Sequence, residues 1–255
     1  MLSKTAGTYF VAFTLPLIPC LSAADVMWTY NTDIDKTPHF LRINRISETS
    51  PPAEEVQGVE IDGRYAMSDR LGIVARYSFG SGDAVEDGQT SDSKLKIVDI
   101  GITYGLPLND QLFYELKAVY NYRQSSFSEN EGATEKESQR SIRLTPRVRY
   151  DINSYLQARA LIEFEKPEHE DLGSEAAIYL TLTPINKLAL DFKFGKGLTT
   201  TNHNDPDEGG KWSNDAWYVE PRVSYRINST VSIEAGYRDK KEGGRLVDFG
   251  AVVFF

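Results

Sequence analysis

The chain has 255 residues, 40% of them hydrophobic, with 28 Lys and Arg against 37 Asp and Glu and a formal net charge of −9. Its single cysteine, Cys20, lies near the N-terminus, which excludes a disulfide framework and thiolate metal sites from everything that follows it. The mean hydropathy of −0.40 is that of an ordinary soluble protein, so only the order of residues decides the class.

Lys4, the apolar stretch Tyr9 to Leu21 and the small residues Ser22, Ala23 and Ala24 follow one another as in a secretory leader. Residues 1–24 are therefore expected to be removed, leaving 25–255 as one domain. An anchoring helix is disfavoured, because this stretch is broken by Pro16 and Pro19 and falls short of the roughly twenty apolar residues that span hydrocarbon. Cys20 follows Pro19 rather than a small residue, which argues against lipid attachment.

From there on the period is two. Val26, Trp28 and Tyr30 alternate, so Asp25 to Asn31 is either a short lead-in or the start of the barrel, and Pro38 to Ile46 is the preferred first strand. Val59, Ile61 and Tyr65 alternate with Glu60, Asp62 and Arg64; Leu71, Ile73, Tyr77 and Phe79 alternate with Val74, Arg76 and Ser78. The same division returns at Val98 to Leu106, Tyr114 to Tyr122, Ile142 to Tyr150, Leu156 to Phe164, Ala176 to Leu182, Leu188 to Phe194, Trp217 to Tyr225, Val231 to Tyr237 and Val247 to Phe255. Strands with one apolar and one polar face, each about ten residues long, suit a tilted membrane strand. Pro146 and Pro221 fall inside such strands, where bulges are expected.

The connections alternate in length. Ser68-Asp69-Arg70, Asn109-Asp110, Asn153-Ser154, Ile185-Asn186 and Asn228-Ser229 are tight turns. Ser47 to Glu54, Gly80 to Ser93, Gln124 to Glu137, Lys166 to Gly173, Thr199 to Asp215 and Lys240 to Gly244 are the expected long loops, and they carry most of the acidic excess. Putting every long loop at one end is the habit of outer-membrane barrels, with short turns in the periplasm and long loops outside. The fold class is thus an all-β, antiparallel up-and-down barrel of about twelve strands in the Gram-negative outer membrane, with both termini periplasmic. The terminal strand ending at Phe255 has the form such barrels present to the barrel assembly machinery. Outer-membrane lipid and lipopolysaccharide are the expected surroundings.

If the apolar set faces lipid, arginines line the interior. Arg123, Arg143, Arg147, Arg149 and Arg159 fall on strands five to seven, and Arg222, Arg226, Arg238, Arg42, Arg64 and Arg76 on strands ten to twelve and one to three. In a ring of twelve, these groups face each other, with Asp99, Gly101, Thr103, Tyr179, Thr181 and Ala189 of strands four, eight and nine between them. One reading is a track for anionic solutes, since guanidinium groups bind carboxylates through two parallel hydrogen bonds and rings of arginine line anion pores. The other is that the arginines pair with Glu60, Asp62, Glu115, Glu163, Asp191, Glu220, Glu234 and Asp248 and lock the lumen. Twelve strands leave a narrow channel.

Catalysis finds little footing. His39, His169 and His203 lie at or in connections, and no strand carries an interior or lipid-facing histidine. Neither a cofactor nor a metal is implied. Basic residues inside a barrel are out of reach of nucleic acid.

The architecture, with Tyr225-Arg226-Ile227-Asn228 before the last hairpin and the Phe254-Phe255 end, resembles the monomeric oligogalacturonate-specific porins of the KdgM type. The resemblance implies passive diffusion of small acidic saccharides through a monomer, with Arg147, Arg149 and Arg159 facing Arg222, Arg226, Arg64 and Arg76. Monomeric porins of the OmpG type are the rival likeness and imply weaker selectivity. A closed structural or surface-interaction barrel is the alternative from another class.

Overall fold

The computed structural model describes residues 39–50, 54–86, 89–128, 135–169, 171–198, 217–240 and 244–255. Over these residues the alternation becomes twelve strands: β1 (Phe40–Ser50), β2 (Glu54–Ala66), β3 (Leu71–Glu86), β4 (Gln89–Pro107), β5 (Leu112–Ser128), β6 (Glu135–Asn153), β7 (Leu156–Pro167), β8 (Gly173–Ile185), β9 (Leu188–Gly197), β10 (Trp217–Arg226), β11 (Val231–Lys240) and β12 (Gly244–Phe254). Each pairs antiparallel with the next, and β12 pairs with β1 from Phe40↔Phe254 to Thr49↔Arg245, closing the barrel. Closure pairs the backbone around the whole ring and removes the free edge that hydrocarbon would not tolerate.

The two faces follow the two residue sets. Outward side chains are apolar and bare, with Ile142 63% exposed and Phe249 60%. Inward ones are polar and buried, among them Arg64, Glu115, Thr181, Arg222 and Glu234. That inversion of a soluble protein's burial is what lipid outside and a polar lumen inside require.

Four of the five tight turns close by one device. The side-chain oxygen of the first turn residue accepts from the backbone N–H groups two and three residues on. Asn109 takes those of Gln111 and Leu112 at 2.9 and 2.8 Å, and Asn153 those of Tyr155 and Leu156 at 3.0 and 2.8 Å. Asn228 and Ser68 do the same for Thr230 and Val231 and for Arg70 and Leu71. Short Asn and Ser side chains mimic a backbone turn in this way. His39, expected as a solvated connection residue, instead sits at the seam: its Nδ1 accepts from Ala66 N at 3.1 Å, and its ring stacks 5.9 Å from that of Phe255.

Several boundaries differ from the sequence reading. The first strand runs from Phe40 to Ser50 rather than from Pro38 to Ile46. The stretches Gly80 to Ser93 and Gln124 to Glu137, expected as loops, are largely ladder: β3 and β4 stay paired as far as Glu86↔Gln89, and β5 and β6 as far as Phe127↔Glu135. Beyond the hydrocarbon both faces of a hairpin meet water, so the apolar alternation lapses while the hydrogen bonds continue. The 19 residues of β4 and of β6 extend to about 60 Å at ~3.3 Å per residue, roughly twice what crossing requires. Pro146 and Pro221 do not shift register. Pairing of β6 with β7 lapses over Thr145 and Pro146 and resumes in the same register, whereas shifts occur near the turns at Asp151/Asn153 and Leu182/Ile185. The leader 1–24, the lead-in 25–37 and His203 lie outside the described residues.

Candidate functional site: the charged lumen

The interior begins, at the turn end, with guanidinium groups laid on aromatic rings. Arg42 and Arg64 each hold their Cζ 5.5 Å from the centre of the Phe40 ring, and Arg149 lies 4.8 Å from that of Phe113. Arg149 and Arg159 are register partners on β6 and β7, an unfavourable juxtaposition unless each has its own acceptor. They do: Arg149 Nε stands 3.1 Å from Asp151, and Arg159 donates from Nε at 2.7 Å and Nη2 at 2.5 Å to Gln157 Oε1, with Thr181 Oγ1 at 3.4 Å.

The middle of the lumen is an ion-pair lattice that skips strands. Arg64 on β2 reaches Glu115 on β5 at 3.6 Å, and Arg147 on β6 holds the other oxygen of the same carboxylate. Asp99 on β4 takes Arg76 from β3 at 2.7 Å and Arg143 from β6 at 2.5 Å, and Asn121 donates to its second oxygen. Arg42 on β1 passes β12 to meet Glu234 on β11 at 3.3 Å, with Asp62 at 3.6 Å. Arg222 on β10 grips Asp248 on β12 through both terminal nitrogens, the second at 2.7 Å. It passes directly over Gly236 of β11, where a Cβ would stand 2.6 Å from the guanidinium carbon and 2.6 Å from the carboxylate. A strand residue without a side chain is what lets the pair close. Arg238 completes this wall by bonding Glu220 at 2.7 Å.

Two expectations change as a result. Asp99, placed among the neutral residues between two basic walls, is a shared acceptor for Arg76 and Arg143, so that sector is charged. The sector of β8 and β9 is charged as well. Arg226 is not on an interior track: at the turn end it donates to its own turn's carbonyls, Asn228 O at 3.2 Å and Ser229 O at 3.1 Å. Arg123 faces inward by register but stands exposed toward the loop end of β5.

The partners of these pairs differ in depth. Arg76 is 29% exposed over Asp99 at 9%, and Arg238 is 30% exposed over Glu220 at 4%. Arg147 likewise overlies the more buried Glu115. Between them Lys117 of β5 projects into a cavity of about 210 Å³ lined also by Arg64, Arg76, Arg143 and Arg147. It is exposed to water and, among the described residues, makes no ion pair. The order reverses at Arg42 and Asp62, at Arg149 and Asp151 and at Lys193 and Glu175, where the acid is the more exposed partner.

Lys117 lies outside the arginine set expected from the sequence, although its inward register carries the same signal. So was Lys193 on β9, whose Nζ lies 5.3 and 4.9 Å from the ring centres of Tyr179 and Tyr218 and 3.5 Å from Glu175. The Tyr218 hydroxyl donates to the same Glu175 carboxylate. Among the described residues no cluster of histidine and carboxylate side chains has the makings of a metal site.

The fold is that of outer-membrane barrels. A solved KdgM porin in complex with disordered oligogalacturonate is similar at a TM-score of 0.50 and 11% identity, covering 84% of this chain and 99% of that one. The NanC porin is similar at 0.56 and 9%, with 84% and 99% covered. The transport unit of the autotransporter AIDA-I from Escherichia coli is similar at 0.61 and 10%, with 90% and 93% covered. No protein-family model matches the chain, and no curated protein sequence matches it. At such identities the likeness is one of fold, shared by porins and autotransporter translocators alike.

Proposed function

We propose that this chain is a narrow outer-membrane channel for passive diffusion of small anionic solutes, acidic saccharides being the class whose carboxylates suit its guanidinium groups. The observation that carries the proposal is the layering of charge: on β3, β6 and β11 the cation faces water and its carboxylate lies behind it, and on β5 Lys117 faces the same cavity. A solute carboxylate moving along that surface exchanges hydration for charge-assisted hydrogen bonds without displacing the structural pairs. The porins among the structural neighbours agree with a channel and with an outer-membrane location. With this reading go a leader at 1–24, periplasmic termini, recognition of the Phe255 strand by the assembly machinery, a monomeric state and no catalytic role.

The second reading, a closed structural barrel, draws on Arg64–Glu115, Arg42–Glu234 and Arg222–Asp248, buried pairs that bridge non-adjacent strands as locks would. Planar-bilayer recordings of the refolded protein separate the two. Discrete conductance steps, a reversal potential favouring anions under a KCl gradient and block by oligogalacturonate but not by a neutral oligosaccharide are the expected results. Absence of current refutes the channel, and cation preference refutes the charge assignment.

A further inference from the structure

The outer wall carries a charge pattern that transport does not use. Toward the loop end, the outward apolar run of six strands stops at a cation standing at the next outward position. These are Arg45 after Ile43 on β1, Lys96 after Val98 on β4, Arg140 after Ile142 on β6, Lys166 after Phe164 on β7, Lys196 after Phe194 on β9 and Arg245 after Val247 on β12. At the corresponding place β2, β3, β5 and β8 carry Gln57, Ser81, Gln124 and Ser174 and β11 an acid, Asp239, while that of β10 falls outside the described residues. Among the described residues the turn end has no such collar: its outward runs continue into Met67, Leu108, Ile152 and Ile227, all exposed, and its cations Arg70 and Lys187 sit in the turns.

Lysine and arginine snorkel at either boundary of a membrane, so a collar at one boundary alone points to a leaflet whose anionic groups lie just beyond the acyl chains. Interfacial aromatics accompany it. Lys96 Nζ lies 5.7 Å from the centre of the Tyr77 ring and Lys196 Nζ 5.2 Å from that of Trp217. The densest part is between β6 and β7, where Ile142 pairs with Lys166 and Arg140 O accepts from Glu168 N. Arg140 and Lys166 are therefore diagonal neighbours on one face, within about 7–8 Å of each other. Glu168 approaches Arg140 only at 4.0 Å, with both side chains about half exposed.

We infer that this collar binds the phosphates of a bisphosphorylated glycolipid of the lipid A type, with Arg140 and Lys166 forming its principal phosphate site. The inference rests on the outer-membrane reading proposed above and assigns the loop end to the outer leaflet. Two phosphates on one multi-chain headgroup engage cations on neighbouring strands at once, while the acyl chains cover the apolar shelf of Ile142 and Phe164.

The full-length protein refolded into neutral phosphatidylcholine vesicles, then extracted in mild detergent, is titrated with bisphosphorylated lipid A, its dephosphorylated form or phosphatidylglycerol and read by native mass spectrometry. Bisphosphorylated lipid A is expected to be retained preferentially. The Arg140→Gln, Lys166→Gln double variant is expected to lower that retention about thirtyfold, two surface charges' worth, and the Arg70→Gln, Lys187→Gln control to leave it unchanged. Equal retention of phosphatidylglycerol, or equal loss in the control, overturns the assignment while leaving the membrane barrel intact. Failure to insert into vesicles at all overturns the membrane reading and this inference with it.

Discussion

Gly236→Ala isolates the lattice from the chain that carries it. The added Cβ would lie 2.6 Å from both the Arg222 guanidinium carbon and an Asp248 oxygen, where ordinary contact is about 3.5–4.0 Å. The pair must then move by about 1 Å, enough to break a bidentate bond. Overpacking of this kind costs about 1–3 kcal/mol. Losing a buried partner outright would cost about 3–5 kcal/mol, but Glu220 and Glu234, 3.4 and 3.5 Å from Arg222, take up the displaced charge. The clash is expected to cost about 2 kcal/mol, and the ~0.5–1 kcal/mol that alanine gains over glycine in a strand reduces the net loss to about 1–1.5 kcal/mol. The assay is urea unfolding in lipid vesicles, run also in an Arg222→Ala, Asp248→Ala background. There the clash is gone, and Gly236→Ala should be neutral or stabilising, a coupling well beyond additivity. Equal effects in both backgrounds would refute the claim that this glycine exists for the ion pair.

Three further outcomes follow from other parts of the barrel. Asp99→Asn removes the acceptor shared by Arg76 and Arg143; it should lower stability by about 1–3 kcal/mol, since both arginines reach water, and raise the anion-to-cation permeability ratio. Tyr218→Phe deletes the hydrogen bond to Glu175 and should cost about 1 kcal/mol in the same unfolding assay. Ile100→Arg, on the bare outer face at 59% exposure, should cost about 2–4 kcal/mol in vesicles, whereas Ser81→Arg beyond the apolar run of β3 should cost no more than about 1; similar values for both would argue against a lipid-facing wall.

The strand order and turn positions were legible because alternation is imposed wherever one face meets lipid, and because Asn109, Asn153, Asn228 and Ser68 announce their turns chemically. The hairpin tops were not, since no apolar alternation marks a ladder such as Asp83↔Asp92. Nor were the prolines informative about register. A proline withholds one N–H, and at Pro146 and Pro221 the ladders resume without the shift that a bulge would bring.

The lumen was half legible. Register parity places Arg76, Lys117, Arg143 and Asp99 inside, but which side chains meet depends on reach across intervening strands, as from Arg143 on β6 to Asp99 on β4. Counting charges therefore does not say which sign a pair presents, because an arginine stem is longer than that of an aspartate and carries its charge past its partner at Arg76 over Asp99, whereas Asp62 and Asp151 are more exposed than Arg42 and Arg149. Asp99→Glu tests this directly. It changes no charge, yet a carboxylate one methylene longer stands nearer the plane of the Arg76 and Arg143 guanidinium groups. The anion-to-cation permeability ratio should fall, with conductance at high salt nearly unchanged. If the ratio stays the same, the number of charges rather than their depth sets the selectivity of the lumen.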